Sequence, residues 1–294
     1  MNRERSTVVT LLLAVVLHSV SVHAERRYPV TGLVLSVDRS KKQMVVSCQA
    51  IQGFMDAMVM PFSVPDAKSL EAIQRGSLID FDLVVKQESS HAENVHIRWY
   101  PAVEREPSKA RRLQGLDEDL RGPVRRLSVG QPVPDFILTD QKKRAVHFTQ
   151  FTGRVVALNF IYTRCVLPEY CFRSSNNFGI LQKRFVERLG SDLVLLSVTF
   201  DPVHDQPQVL QGYAHAWKSD PENWRFLTGA AADVQRVCDM FGVNFVPDEG
   251  LYIHALHTII IGRDGKLVAN LEGNEFTAQQ LGDLVNTTLE HGKK

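Results

Sequence analysis

Residues 154–171 read RVVALNFIYTRCVLPEYC, and they decide the fold of the C-terminal half of the chain. The first nine of these residues are almost all apolar, which predicts a strand buried on both faces of a sheet. A second run of this kind, DLVLLSVTF at 192–200, follows a segment with helical periodicity at 178–189. Further helical patterns lie at 207–218, 230–240 and 277–290, and a hairpin is predicted at 257–261 and 266–270. This alternation of strands and helices predicts a central sheet covered on both faces.

The region before this sheet is predicted to be all-β. Residues 28–100 contain short alternating runs separated by turns, which favours a small closed barrel. The predicted strands are 30–37, 43–47, 79–85 and 91–99. Residues 101–127 carry many charges and few large apolar side chains, so they cannot bury enough apolar surface to fold alone. We therefore predict a charged linker that leads into a second domain at 128–292.

The first 24 residues have the order of a secretory signal. Arg3 and Arg5 precede the apolar run 8–17, and Val22-His23-Ala24 supplies the small-residue pattern of a cleavage site. The run is about half of the roughly 20 residues that span a bilayer. We therefore predict an exported, periplasmic protein; the alternative is an uncleaved segment that holds the protein near a membrane. The net charge of +1 gives no electrostatic reason to expect nucleic acid as a partner.

Cys165 and Cys171 follow the first buried strand directly, and a helix is predicted to begin soon after them. Backbone N–H groups and the dipole at a helix N-terminus favour an anion, so this position lowers the pKa of a thiol. The spacing is Cys-x5-Cys, which is wider than the Cys-x-x-Cys of a thioredoxin-type disulfide exchanger. A structural disulfide, a redox-active pair and a pair of metal ligands all remain open. Soft thiolates select Cu(I), and a thiolate–imidazole set also accommodates Cu(II).

His254 is the predicted third ligand. It lies in the segment YIHALHT at 252–258, which leads into the predicted hairpin. In this class of fold that loop lies near the cysteine pair. A histidine beside a core strand is more often a satisfied core group, but the cysteine motif favours a ligand role for His254. His257, at or within the strand, is the weaker candidate.

Three methionines cluster in FMDAMVMPF at 54–62. Met58 and Met60 are two residues apart, so on a strand they share one face. Their thioether sulfurs are soft, neutral ligands that suit Cu(I). Cys48 lies ten residues before Met58, at the end of a predicted strand. The pattern allows core packing by adaptable methionines or a second copper site formed by Cys48, Met58 and Met60.

Residues 128–291 resemble the Sco/SenC family. The resemblance is carried by NFIYTRC at 159–165 with Cys171, VTFDP at 198–202 with Asp205, and His254 eight residues before Gly262 of IGRDG. Members of that family are thioredoxin-like copper-binding proteins that help to assemble the copper centre of cytochrome oxidase, and they bind copper through two Cys and one His. The resemblance implies an α/β thioredoxin-like domain and copper ligation by Cys165, Cys171 and His254. The usual spacing in the family is Cys-x3-Cys, so this loop has two additional residues.

Residues from about 29 to 100 resemble the small periplasmic copper-binding domains of the CusF type. Those domains are five-stranded, OB-like barrels that hold Cu(I) with one His and two Met beside an aromatic ring. Met58 and Met60 match the methionine pair of the Ala-Met-x-Met pattern. Cys48 stands near the position of the family's histidine, and Phe54 is a candidate for the ring.

Together these features predict an exported copper chaperone. Its first domain would capture Cu(I), and the linker would let that domain meet the thioredoxin-like domain. The resemblance implies a cytochrome oxidase subunit or another copper acceptor as partner, whereas a copper buffer would need none. The alternative activity is that of a thiol–disulfide oxidoreductase in which Cys165 and Cys171 cycle. A peroxiredoxin-like peroxidase fits less well, because Thr163 precedes Cys165 by only two residues and Pro168 lies after it.

Overall fold

The structure is a computed structural model that describes residues 25–87, 89–98, 126–248 and 250–291. We call residues 25–98 the N-terminal unit and residues 126–291 the C-terminal unit. The predicted signal at 1–24 and most of the predicted linker, residues 101–125, lie outside the described residues. Among the residues that are described, no helix has the length and apolar character needed to cross a membrane.

The N-terminal unit is an antiparallel sheet of five strands in the order β3-β2-β1-β4-β5. The strands are β1 Arg26–Asp38, β2 Gln43–Cys48, β3 Met58–Ser63, β4 Leu78–Val85 and β5 Ser90–Ile97. The four predicted strands are confirmed, and β3 is an addition that carries two of the clustered methionines. Alternate side chains of β2, namely Met44, Val46 and Cys48, are buried in the core of this unit.

The predicted closed barrel depends on how the edges of this sheet meet. Within the described residues, β3 and β5 are the two edge strands, and they are not hydrogen-bonded to each other. Their Cα atoms nevertheless come within 8 Å. The sheet is therefore curled, and closure into an OB-like barrel stays a prediction.

The C-terminal unit contains a mixed sheet of seven strands in the order β14-β13-β8-β9-β10-β6-β7. The strands are β6 Ile137–Asp140, β7 Ala145–His147, β8 Val155–Ile161, β9 Leu193–Thr199, β10 Trp224–Thr228, β13 His257–Ile261 and β14 Leu267–Glu272. A separate hairpin is formed by β11 Phe245–Asp248 and β12 Leu251–His254. Every side chain of β8 and β9 is buried, which confirms the two central strands predicted from their apolar runs.

Four helices cover this sheet: α1 Arg173–Arg184, α2 Pro207–Ala216, α3 Ala231–Phe241 and α4 Ala278–His291. The helix predicted to begin soon after Cys171 starts at Arg173; its first turn is polar, so the apolar periodicity begins only at Phe178, and the helix ends at Arg184 rather than at residue 189. Thr277 is the N-cap of α4. Its hydroxyl accepts from the Gln280 backbone N–H at 3.1 Å, and the Gln280 side chain accepts from the Thr277 N–H at 2.9 Å.

The connections give the C-terminal unit a thioredoxin-like arrangement. Strands β8 and β9 are parallel and are joined through α1, and β10 continues the parallel set beside β9. The antiparallel hairpin β13–β14 lies on the other side of β8. Because parallel strands joined by a helix bring their carboxyl ends to one edge, the segment after β8 and the loop after β9 meet there.

The two units pack against each other. Val30 and Val34 of β1 belong to the core of the N-terminal unit. Leu33 and Leu35, on the other face of the same strand, belong to a core cluster that includes Leu281 of α4. Strand β1 is therefore buried on both faces, and the outer face of the small sheet is covered by the C-terminal unit.

Candidate metal centres

The cysteine pair lies between β8 and α1. Cys165 is half-buried in the loop after β8, while Cys171 is buried in a single π-helical turn, Pro168–Phe172, that runs directly into α1. Within that turn the backbone departs from helical geometry at Tyr170. Both thiols thus sit at the N-terminal end of a helix, as the sequence predicts.

His254 lies close to the two cysteines, although it is far from them in the sequence. It is the last residue of β12, is 7% exposed, and is separated from Cys165 by nearly ninety residues of sequence. Its Nδ1 lies 3.1 Å from the Ala255 carbonyl oxygen. Because Nδ1 faces this carbonyl, Nε2 is the ring nitrogen that remains for the cysteine sulfurs or for a metal.

The three predicted ligands converge. The Sγ atoms of Cys165 and Cys171 and a ring nitrogen of His254 all lie within 4.8 Å of one another. No other group of three His, Cys, Asp or Glu side chains with this geometry occurs in the described parts of the chain. Metal bonds to sulfur and imidazole are about 2.0–2.3 Å long. A single ion can therefore bond to all three donors after shifts of less than a side-chain length, and two sulfurs with one imidazole suit a soft metal.

The two thiols have unequal proton affinities. The hydrogen bond from Cys171, supported by one from His254, lowers the pKa of Cys165 to about 4. The same hydrogen bond to Cys165, together with burial, raises the pKa of Cys171 well above its usual value. In the reduced protein at neutral pH, Cys165 is therefore a thiolate, and Cys171 keeps its proton and donates it to that thiolate.

This charge distribution predicts selective alkylation. Cys165 is expected to react with iodoacetamide at a nearly constant rate between pH 5 and 8, because its thiolate form persists above a pKa of about 4. An ordinary thiol would lose about tenfold in rate per pH unit over the lower part of this range. Mass spectrometry of the labelled peptides measures the rate. A tenfold fall at Cys165 between pH 7 and 6, or labelling of Cys171 before Cys165, would contradict this assignment.

Aromatic rings surround His254. The Phe200 ring lies 4.7 Å from the imidazole between ring centroids, and the rings of Tyr162 and Tyr170 stand edge-on to it at 5.7 and 5.9 Å. Burial, and then the nearby sulfurs, raise the pKa of Tyr162. Tyr162 therefore stays a neutral phenol, and the rings restrict water around the three donors.

Asp205 and Asp201 organise the loops of this centre. The buried Asp205 carboxylate accepts hydrogen bonds from the backbone N–H of Thr163 at 3.0 Å, from its hydroxyl at 2.5 Å and from the Thr199 hydroxyl at 2.6 Å. Asp201 pairs with Arg164 at 2.6 Å. These contacts fix the start of the cysteine loop against the end of β9.

Arg164 is a supporting residue that the sequence reasoning missed. Its guanidinium donates to Asp201 and also to the carbonyl oxygen of Gly250 at 2.8 Å, in the turn of the β11–β12 hairpin. The Tyr252 hydroxyl lies 3.3 Å from the same Asp201 carboxylate. Arg164 therefore ties the loop that carries Cys165 to the hairpin that carries His254, and its position next to Cys165 was the available signal.

His257 is not part of the centre. Its Nδ1 lies 2.7 Å from the side-chain oxygen of Asn270, and burial lowers its pKa, so it is a neutral core histidine. The Asn270 amide in turn donates to the Phe241 carbonyl oxygen at 2.9 Å. Of the two histidines in the segment, the structure brings only His254 to the cysteines.

The structure also brings the N-terminal candidates together on one sheet face. Cys48 and Met58 are directly opposed in the β2–β3 ladder, and Met60 opposes Val46 on the same face. Opposed residues have Cβ atoms about 4.5–5.5 Å apart. Cys48 is buried, which raises its pKa to about 12, whereas Met58 is 44% exposed. Phe54 stacks on Tyr28 at 3.9 Å between ring centroids. The set has a buried end at Cys48 and a solvent-facing end at Met58.

Known proteins resemble both halves of the chain. Residues 27–97 match the family model described as copper binding periplasmic protein CusF, and residues 127–289 match the SCO1/SenC model. A SCO1 protein homolog from Bacillus subtilis is 27% identical over 149 residues, which cover 49% of this chain and 76% of that relative. A SCO2-like protein from Rickettsia typhi is 26% identical over 142 residues, with coverages of 45% and 66%.

Among solved structures, the copper-bound ScoI of Bradyrhizobium japonicum shares 22% identity, with a TM-score of 0.46 over 54% of this chain and 99% of that one. The SCO1/SenC match extends over more than half of the sequence and contains the Cys165, Cys171 and His254 cluster. The chain therefore belongs to the SCO1/SenC family.

Proposed function

We propose that this protein is an exported copper chaperone that delivers copper to the copper centre of a cytochrome c oxidase. The observation that carries the proposal is the convergence of Cys165, Cys171 and His254 within 4.8 Å. Two sulfurs and one imidazole form a donor set that binds Cu(I) and also accommodates Cu(II). Binding of Cu(I) to this set would release the proton that Cys171 keeps.

A second copper site in the N-terminal unit supports the same function. Cys48, Met58 and Met60 would bind Cu(I) through one thiolate and two thioethers. Met58 at the solvent-facing end would receive the ion, and Cys48 at the buried end would hold it. The proposed acceptor of copper from the chain, an oxidase subunit or another copper-binding protein, follows from the family. No nucleic acid is expected as a partner.

The proposed organisation follows the predicted boundaries. Residues 1–24 would be the export signal, 28–100 an OB-like barrel, 101–127 a linker and 128–292 the thioredoxin-like domain. Periplasmic location is supported by the match of residues 27–97 to a periplasmic copper-binding protein. Retention of the N-terminal segment would place the protein at a membrane surface.

Metal counting tests the two sites. The reduced chain is expected to bind two Cu(I) ions, and a Cys165→Ser/Cys171→Ser variant or a Cys48→Ser/Met58→Leu variant is expected to bind one. Elemental analysis after chelator competition gives the stoichiometry. The matched control is Cys238→Ala, which removes a buried cysteine outside both sites. Two equivalents bound by the Cys165→Ser/Cys171→Ser variant would refute the C-terminal site.

A thiol–disulfide oxidoreductase is the second candidate, because a thiolate at Cys165 lies beside a thiol at Cys171. The Cys165 sulfur would attack a substrate disulfide and form a mixed disulfide while one substrate thiolate leaves. Cys171, after losing its proton, would then attack Cys165 and release the second substrate thiolate. The two cysteines are oxidised as the substrate disulfide is reduced. Cysteines of an oxidase subunit are the proposed substrate.

A further inference from the structure

The backbone next to each candidate copper site contacts one short segment, residues 274–283, which contains the start of α4. The Asn274 amide donates to the carbonyl oxygen of Glu169, between the two cysteines of the C-terminal site. The Gln279 amide donates to the carbonyl oxygen of Ala57, the residue before Met58, at 3.3 Å. Positions 274 and 279 can be separated by at most about 17 Å of chain. The segment therefore connects the loop that carries Cys171 to the start of β3, which carries Met58.

A buried polar cluster holds the N-terminal unit on this segment. The Ser47 hydroxyl donates to Asp283 at 2.7 Å, and the Gln280 amide donates to the Ser47 carbonyl oxygen at 2.8 Å. Asp283 also accepts from Arg184 at 2.6 Å. Ser47 and Gln280 are each 1% exposed. We call these four residues, Ser47, Gln280, Asp283 and Arg184, the interface clamp.

The clamp joins the backbones that carry the two sites. Ser47 immediately precedes Cys48, and Arg184 ends the helix that begins two residues after Cys171. Gly282 permits this arrangement, since a Cβ at that position would overlap the Arg184 guanidinium. Close packing continues at Gly76, where a Cβ would lie 2.7 Å from that of Ala269 in the other unit.

We infer that the N-terminal unit is docked on α4 rather than held only by the linker. The interface clamp fixes Cys48 relative to the Cys165–Cys171 pair, so that copper passes between the two sites of one chain. The clamp residues act as positioning residues, because they touch the strand and helix that carry the ligands. The transfer step rests on the proposed function. In it the bonds from Cu(I) to Cys48, Met58 and Met60 break as bonds to Cys165, Cys171 and His254 form. Cys171 releases one proton and Cys48 takes one up, so the net charge and the oxidation state of the copper do not change.

Docking is tested without metal. A recognition sequence for a site-specific protease is inserted within residues 101–125, and the folded full chain is cleaved at this sequence. The two fragments are expected to co-elute in size-exclusion chromatography at micromolar concentration. Ser47→Asp places a second carboxylate against Asp283, and it is expected to separate the fragments. The control Ser63→Asp changes an exposed serine of the same sheet and should leave them together. Separation of the wild-type fragments would overturn docking.

Transfer is tested in the uncleaved chain. One equivalent of Cu(I) is loaded while Cys165 and Cys171 are held as a disulfide, and the disulfide is then reduced with a phosphine. Protection of Cys165 from iodoacetamide reports the arrival of copper. The rate constant is expected to be unchanged over a tenfold range of protein concentration and about tenfold lower in Ser47→Asp. A rate proportional to concentration, or equal rates in Ser47→Asp and Ser63→Asp, would overturn transfer within one chain. Failure of Cu(I) to load in the first step would instead refute the N-terminal copper site.

Discussion

Replacement of His254 by alanine is expected to lower the Cu(I) affinity of the C-terminal site by on the order of a hundredfold or more. The imidazole supplies one of three donor atoms that lie within 4.8 Å of one another. Removal of residues that merely orient a metal ligand already costs 10–100-fold in affinity, so loss of the ligand itself is expected to cost at least this much. Competition with a Cu(I) chelator, in a chain whose N-terminal site carries Cys48→Ser, measures the constant.

The control for this variant is His204→Ala, which removes an exposed histidine from the loop after β9. Its affinity for Cu(I) is expected to equal that of the parent chain. Equal affinities of His254→Ala and His204→Ala would exclude the imidazole as a ligand. The disulfide between Cys165 and Cys171 should still form in His254→Ala, because the imidazole is not needed to join the sulfurs. Loss of copper binding with retained disulfide exchange therefore separates the chaperone from the oxidoreductase function.

The central strands of the sheet were predictable because strands that are buried on both faces consist mostly of consecutive apolar residues. Strands β8 and β9 have no solvent-facing side chain, so both runs are almost continuously apolar, and their few polar residues, Asn159, Ser197 and Thr199, are buried as well. Short strands such as β10, of five residues, give no such signal. The first turn of α1 is polar, so apolar spacing identifies only the later part of this helix, and its start at Arg173 agrees with the helix predicted to begin soon after Cys171.

The ligand residues of the C-terminal centre were predictable, but their distances were not. The resemblance named Cys165, Cys171 and His254, and the helix N-terminus after Cys171 indicated a lowered thiol pKa. The approach of His254 depends on the β11–β12 hairpin, whose four-residue strands carry little periodic signal. It also depends on the contacts of Arg164 with Asp201 and Gly250, which join segments separated by tens of residues in the sequence.

The docking of the two units is indicated in the sequence by a short apolar run in β1. A half-buried strand alternates apolar and polar residues, but β1 contains Leu33, Val34 and Leu35 in succession. Such a run indicates burial on both faces. The charged linker was the predicted connection between the units, whereas in the structure Leu33 and Leu35 also pack in one cluster with Leu281 of α4.

Asp205→Ala is expected to reduce the free energy of unfolding of the C-terminal unit by about 3–5 kcal/mol. The carboxylate is fully buried and accepts three hydrogen bonds from Thr163 and Thr199. Alanine leaves the buried Thr199 hydroxyl and the two partly buried donors of Thr163 without this acceptor, at about 1–3 kcal/mol for each donor that stays buried. Urea unfolding followed by tryptophan fluorescence measures the change, since Trp224 is buried in this unit.

Asp233→Ala provides the comparison, because Asp233 is partly exposed in the first turn of α3, where it pairs with the exposed Arg236 side chain, and its loss should change stability by less than about 1 kcal/mol. Asp205→Asn keeps one acceptor oxygen but turns an amide donor toward the hydroxyls, so its effect is expected to fall between the two. A loss below about 1 kcal/mol in Asp205→Ala would mean that Thr163 and Thr199 find other partners. If the loss is as large as expected, the same carboxylate that stabilises the unit also fixes Thr163, two residues before Cys165. The stability of the fold and the geometry of the metal centre would then depend on one buried side chain.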